Sequence, residues 1–147
     1  MINSSGNFFS RPLLSTIAML VITLLVPAIG YASAYGYAYW GTTMWRDIPI
    51  PKGQLFHAIE GKGQHIDRQG GNYGAVGNLC DTSVRFTYGG KNGKWTHYFD
   101  SDVRSGCSAG NNWKYAFNWK VPIGDACMEL WMKKWAKMVV RQCHYIH

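Results

Sequence analysis

Trp113, Tyr115, Phe117, Trp119 and Val121 alternate without a break against Lys114, Ala116, Asn118 and Lys120. A period of two places all four rings on one face of a strand, whereas a helix would scatter them around its circumference. Burying each ring is worth about 1.5–3 kcal/mol, so a half-buried antiparallel strand is predicted here as the central element. A second alternation sets Thr82, Val84, Phe86 and Tyr88 against Ser83, Arg85 and Thr87. The turn Gly89-Gly90-Lys91-Asn92-Gly93 then leads into Trp95 to Phe99, which is the clearest hairpin in the chain. Leu55, His57, Ile59 and Gly61 lie opposite Phe56, Ala58 and Glu60 in a further short strand that ends at Gly61-Lys62-Gly63. Tyr35, Tyr37 and Tyr39 also alternate and read either as a first strand or as an exposed tail. Ile48-Pro49-Ile50-Pro51 forces an extended lead-in to the Lys52-Gly53 turn, because proline fixes its own torsion and keeps its neighbour out of the helical region.

Between these elements, residues 64–78 form a polar, glycine-rich connector, residues 105–112 a second loop, and Asp100-Ser101-Asp102 a solvated turn. The C-terminal segment folds back around Trp135. In that register Cys127 faces Cys143, Glu129 faces Arg141, Leu130 faces Val140, Trp131 faces Val139 and Met132 faces Met138, so one hairpin yields a bridge, an ion pair and three apolar pairs. A helix from Asp125 is the alternative, with an apolar stripe through Cys127, Leu130, Trp131, Met138 and Val139. Six to eight short strands and many glycine turns predict an all-β fold, a small antiparallel sandwich or barrel.

Ahead of this domain, Arg11 precedes an almost wholly apolar run from Pro12 to Val26, broken by Pro27 and Gly30 and closed by Ala32-Ser33-Ala34. That is the layout of an export signal cleaved after Ala34, making residues 1–34 a signal helix and 35–147 a single secreted domain. The run is also just long enough to serve as a membrane anchor. Cleavage leaves no membrane span and places the mature chain outside the cell. Cys80, Cys107, Cys127 and Cys143 all fall in the exported part, where an even count implies two disulfides. Cys80 with Cys107 and Cys127 with Cys143 is the favoured pairing. Arg11 is the one charged residue of the signal, so the mature part carries 14 Lys and Arg against 8 Asp and Glu, a net charge of +6. Such a domain suits anionic partners: a planar or anionic small ligand, or an anionic polymer of the cell surface.

No catalytic signature stands out. Gly61-Lys62-Gly63 lacks the Gly-Lys-Ser/Thr ending and following helix of a nucleotide loop, and Asp100 to Asp102 lacks the further oxygen ligands of a calcium loop. Oxidised cysteines close the thiol routes, and His57, His65, His97, His144 and His147 show no zinc spacing, so neither catalytic nor metal residues are assigned. The 9 Tyr, 7 Trp and 6 Met are unusually many and make good walls for a flat aromatic ligand. Lysines interleaved with rings from 113 to 120 also suit single-stranded nucleic acid, but alternation puts the rings inside, so a nucleic-acid partner is not expected. The candidate ligand-binding residues are His57, Lys62, His65, Arg68 and Arg85.

The run Ile48-Pro49-Ile50-Pro51-Lys52-Gly53-Gln54-Leu55-Phe56-His57, then Ile59, Gly61 and Gly63, Gly77-Asn78-Leu79-Cys80 and the closing Arg141-Gln142-Cys143-His144 resemble small exported proteins of actinobacteria. Among these, residues 40–147 are similar to the RoxP family of secreted antioxidant proteins. That resemblance implies an all-β secreted protein, radical scavenging and a haem-type ligand in a basic groove. Its motifs are turns and cysteines, so it carries no site residue across. The expected function is a secreted cationic binding protein, antioxidant or haem-binding. The alternative is an envelope-binding or antimicrobial protein acting on anionic surfaces. Mass spectrometry of culture supernatant is expected to find a chain beginning at Tyr35; a full-length membrane-bound product would make residues 12–34 an anchor.

Overall fold

A computed structural model describes residues 33–89, 95–133 and 135–147. The predicted signal helix, but for its last two residues, and the turn at 90–94 lie outside them. The described chain is all-β: β1 (Ala34–Trp40), β2 (Thr43–Trp45), β3 (Ile48–Ile50), β4 (Gly53–Lys62), β5 (His65–Gly89), β6 (Trp95–Asp100), β7 (Arg104–Lys120), β8 (Gly124–Met132) and β9 (Lys137–Ile146). Among the described residues no helix is long and apolar enough to cross a membrane. β1 begins at the predicted cleavage point, and a chain starting at Tyr35 would lose only the first of its seven residues.

The organising strand is β5, not the aromatic β7. Its first part lies between β4 and β7, where His57 faces Gly71 and Gly71 faces Trp113, and its last part lies between β8 and β6, where Phe86 faces Met128 and Phe99. Between them the register slips at Asp81, which adopts a left-handed φ of 51°. A bulge of this kind bends a strand and sharpens its twist, so β5 leaves one group of partners and enters the other. β1 pairs with β4 and β9 with β8. His144 Nε2 on β9 then comes within 3.2 Å of the His57 carbonyl on β4, and a Cβ on Gly36 of β1 would lie 2.6 Å from Gln142 Nε2. The sheet therefore comes round almost to closure, as a barrel. The small β2–β3 ribbon turns on Arg46 and Asp47, whose φ values of 47° and 62° are those a two-residue hairpin demands.

Two segments expected as loops are ladder. Residues 65–78 belong to β5 and 105–112 to β7. Gly70 and Gly71 serve close approach: a Cβ on Gly71 would collide with the Phe56 carbonyl and lie 2.6 Å from Met128 Sδ, and one on Gly70 would collide with the Trp113 carbonyl. Ser101, expected in a solvated turn, is buried and splices β6 to β7. Its amide donates to the Val84 carbonyl at 2.9 Å, and its Oγ accepts from the Val84 amide at 2.9 Å.

Inside the barrel Leu55, Ile59, Ile66, Tyr73, Val84, Phe86, Tyr88, Met128 and Leu130 are almost wholly buried, with Tyr115, Phe117 and Trp119 of β7 packed against them. Phe117 stacks on Trp119 at 4.6 Å and meets Phe86 and Phe99 edge-on at 5.6 and 5.2 Å. The predicted alternation in β7 is therefore realised, rings inward and lysines outward.

Both disulfides join facing residues, Cys80 with Cys107 across β5–β7 and Cys127 with Cys143 across β8–β9. The C-terminal hairpin keeps the predicted register through Leu130 opposite Val140. Beyond that it slips by one, and Trp131 faces Met138 while Met132 faces Lys137. Lys133 and Trp135 hold positive φ, 55° and 70°, in a turn that contains no glycine, and a bulge at Val139 takes up the extra residue.

Outside this half of the barrel, Asp100, Arg85, Glu129 and Arg141 face one another in register across four strands. Arg85 donates to both Asp100 oxygens at 2.6 and 2.8 Å, and Arg141 donates to Glu129 Oε1 at 2.5 Å. Trp131 Nε1 donates to Glu129 Oε2 at 2.9 Å. The Glu129 side chain is only 3 % exposed. Glu129→Ala is expected to cost about 3 kcal/mol, the low end for breaking a buried ion pair because both arginines keep some contact with water. A urea midpoint lowered at unchanged slope checks this, and an unchanged midpoint would contradict it.

Candidate functional site

The interior holds a line of polar groups that runs from one half of the barrel to the other. His57 and Gln69 are 0 % and 1 % exposed, and Gln69 Nε2 lies 2.8 Å from His57 Nε2. Tyr88 OH donates to Gln69 Oε1 at 2.5 Å, and the Trp119 ring meets Tyr88 edge-on at 5.9 Å. With the Gln69 amide donating, His57 Nε2 is the acceptor and the ring proton sits on Nδ1. Burial, and next the neighbouring His144 ring at 4.9 Å, lower the His57 pKa from 6.5 to about 3, against a smaller opposing effect of the Gln142 backbone. Burial likewise pushes the Tyr88 hydroxyl well above the usual tyrosine range. These groups are neutral, packed and out of reach of a ligand, so they hold the fold.

The outer face of β1–β4–β5–β7 is different. Tyr35, Tyr37 and Tyr39 point outward and are 76 %, 51 % and 73 % exposed, while Gly36 and Ala38 turn inward. The rings of Tyr37 and Tyr39 are 6.4 Å apart and within 21° of parallel, and Tyr37 leans on Phe56 at 5.0 Å. Across the sheet from this row, register sets Tyr35–Ala58–Gly70–Lys114, Tyr37–Phe56–Asn72–Asn112 and Tyr39–Gln54–Gly74–Gly110 in parallel lines. The tyrosines form one side and Asn112 with Lys114 the other, and between them β4 presents Gln54, Phe56 and Ala58 and β5 presents Gly70, Asn72 and Gly74. A groove of about 270 Å³ lies over Phe56, Ala58, Gly70, Asn72, Asn112 and Lys114. A second depression, of about 500 Å³, continues over Tyr39, Gln54, Gly74 and Val76.

Arg68 borders this groove, paired with Glu60 at 2.8 Å on a surface where such pairs are worth only about 0–1 kcal/mol, so the guanidinium is readily redirected. Lys62 and His65 sit further along the same strands, where Lys62 faces His65 and His65 faces Lys120. His65 Nε2 lies 2.9 Å from Asn118 Oδ1 and 3.5 Å from Asp67 Oδ1. Lys62, His65, Lys120 and His147 line a bowl of about 390 Å³.

The five candidate residues therefore occupy separate places. Arg68 is at the groove, and Lys62 and His65 are at the end of the same face. His57 is inside the barrel beside His144 rather than near His65. Arg85 belongs to the other outer face, bound to Asp100, with its guanidinium 4.8, 5.0 and 5.7 Å from the Tyr98, Trp135 and Trp131 rings. Hydrogen bonding to Asp100 raises its pKa further. Tyr35, Tyr37, Tyr39, Phe56, Asn72, Asn112 and Lys114 were not singled out from sequence as ligand contacts. Their signal was the tyrosine alternation against Gly36 and Ala38, which are too small to build a core face. Among the described residues no three His, Cys, Asp or Glu side chains cluster as metal ligands. The chain matches no family model, no curated protein and no solved structure.

The buried histidine makes stability depend on pH. Its folded pKa is below its unfolded value of 6.5, so its contribution is fully present above pH 6.5 and is lost as pH falls toward about 3. Each unit of that difference is worth about 1.4 kcal/mol. The melting temperature is expected to fall between pH 6.5 and 5, above the carboxylate range, and His57→Gln is expected to flatten that portion. An equal slope in the variant would assign it to another group.

Proposed function

We propose that the chain is an exported cationic binding protein that takes a flat, negatively charged ligand on the outer face of β1–β4–β5–β7. The observation that carries this reading is the exposed tyrosine row of β1, separated from Asn112 and Lys114 of β7 by a floor in which Ala58, Gly70 and Gly74 lie beside Phe56 and Asn72. Exposed rings offer faces for stacking, the floor lets a ligand approach the backbone, and Lys114 and Arg68 supply charge-assisted hydrogen bonds to carboxylates or phosphates. Two disulfides are compatible with the oxidising compartment that export implies.

A haem held here would rest on ring faces and propionate contacts alone, since neither depression is lined by His, Cys or Met. Exposed Tyr35, Tyr37, Tyr39 and Met44 are oxidisable, which supports an antioxidant role for a ligand-loaded surface. The bowl at Lys62, His65, Lys120 and His147 favours the second reading, attachment to anionic envelope surfaces.

Haemin and iron-free protoporphyrin are expected to bind with similar affinity, more weakly at high salt but without loss. Tyr37→Ala should reduce affinity about fivefold or more, in keeping with about 1–3 kcal/mol for a stacked ring. Isothermal titration checks this. Wild-type affinity in both Tyr37→Ala and Lys114→Ala would move the ligand elsewhere, and disappearance of binding at moderate salt would favour the envelope reading.

A further inference from the structure

The binding face is linear. Tyr35, Tyr37 and Tyr39 present one ring per row, on successive rows of one strand, and the amides of Gln54, Asn72 and Asn112 stand in the rows at Tyr39 and Tyr37. A single planar macrocycle would cover only part of this row. Here the stacking surfaces lie in line, as a chain of rings would use them, and amides beside them suit hydroxyl groups, which both donate and accept.

Positive charge runs along the same direction. Lys52 borders the depression at the Tyr39–Gln54–Gly74 row, Lys114 enters at the Tyr35 row, Arg68 follows, and the face ends in Lys62–His65–Lys120, so cations recur from one end of the face to the other. Among the described residues Lys62, Lys114 and Lys120 have no carboxylate within ion-pair distance, whereas Arg68 is held by Glu60 and His65 touches Asp67. From Gln54 to Lys62 the strand covers roughly 26 Å, at about 3.3 Å per residue. That is room for several sugar rings and far more than one small molecule fills.

We infer that the occupant of this face is an extended acidic polysaccharide. Its sugar rings lie on Tyr39, Tyr37 and Tyr35, their hydroxyls meet Gln54, Asn72 and Asn112, and its carboxylates reach Lys114 and the Lys62–His65–Lys120 end. This rests on the reading of the outer face as the ligand site and names the class of ligand.

The test uses the mature protein and oligogalacturonates from the disaccharide to the octasaccharide, titrated calorimetrically beside haemin. Affinity is expected to rise with length and then level off. Tyr39→Ala and Lys62→Ala, at opposite ends of the face, should each weaken the octasaccharide about tenfold, while at least one of them leaves the disaccharide unchanged. A neutral octasaccharide, and a ringless polyol phosphate of matched charge, should each bind at least tenfold more weakly. Affinity independent of length, or equal binding of the ringless polyanion, would overturn the proposal. Haemin binding that depends on Tyr37 with no oligogalacturonate binding would overturn it and leave the parent reading standing. Absence of both would remove the two together.

Discussion

Gln69 is the point at which the two halves of the barrel are tied. It reaches His57 on β4 with one end of its amide and Tyr88 with the other, and Tyr88 lies nineteen positions further along β5, the strand that carries Gln69 itself. Such a bond forms only if β5 has turned its last part over its first, which the bulge at Asp81 accomplishes. The network is a constraint as much as a source of stability. A buried polar group left unpaired costs about 1–3 kcal/mol, so the chain must bring these partners together or lose heavily. Alternative packings of the same apolar residues forfeit those bonds, and the barrel is thereby specified rather than merely collapsed.

That arrangement decides where a ligand can go. Phe86, Tyr88, Met128 and the inward rings of β7 fill the interior, and Met128 stands so close to Gly71 that even a methyl group there would collide. The proposed binding site therefore lies on the outside, where the two halves differ. Around β8 the outer charges are consumed by one another, from Asp100 through Arg85 and Glu129 to Arg141, and the guanidinium of Arg85 lies against aromatic rings. Around β4 Tyr37 pairs with Tyr39 and Phe56, and among the described residues Lys62, Lys114 and Lys120 have no acidic partner. Positive charge and stacking surface are thus available on one face and spent on the other.

Composition and alternation carried the all-β class, the two disulfides and most of the C-terminal hairpin, because strand period and cross-strand pairing are written directly into residue order. Two similar patterns nevertheless fold in opposite senses. In β7 the large residues alternate with Lys and Asn and face inward; in β1 they alternate with Gly36 and Ala38 and face outward, since Gln142 and His144 of β9 occupy the space inside. Nothing within β1 announces its distant neighbour. The glycine-rich stretch 64–78 misled for a related reason. Glycine marks a turn when judged locally, but here it lets strands and side chains approach, and that need exists only after β4, β7 and β8 have assembled around β5. The candidate site was legible in type, as rings with basic groups, but not in place. His57 and Arg85 were drawn into structural roles by partners far away in sequence.

Register then becomes the link between fold and site. Asn112 and Lys114 reach the outer face only because Trp113 between them faces inward, and a slip of one residue in β7 would bury the lysine and expose the indole. The segment most open to such a slip is the one before them, residues 105–112, where small residues offer few side chains to penalise a shift. Cys80–Cys107 lies at that point. By closing 27 residues it contributes about 3.6 kcal/mol against the unfolded chain. Its position matters more than its size, for it joins directly facing residues of β5 and β7 and so fixes which residues of both strands form the outer wall. Cys127–Cys143 does the same for β8 and β9, where the Glu129–Arg141 pair two residues on depends on the same alignment. Each half of the barrel thus carries a covalent lock on register, and on the β4 side what is locked is the array of outward side chains on which the proposed ligand would rest.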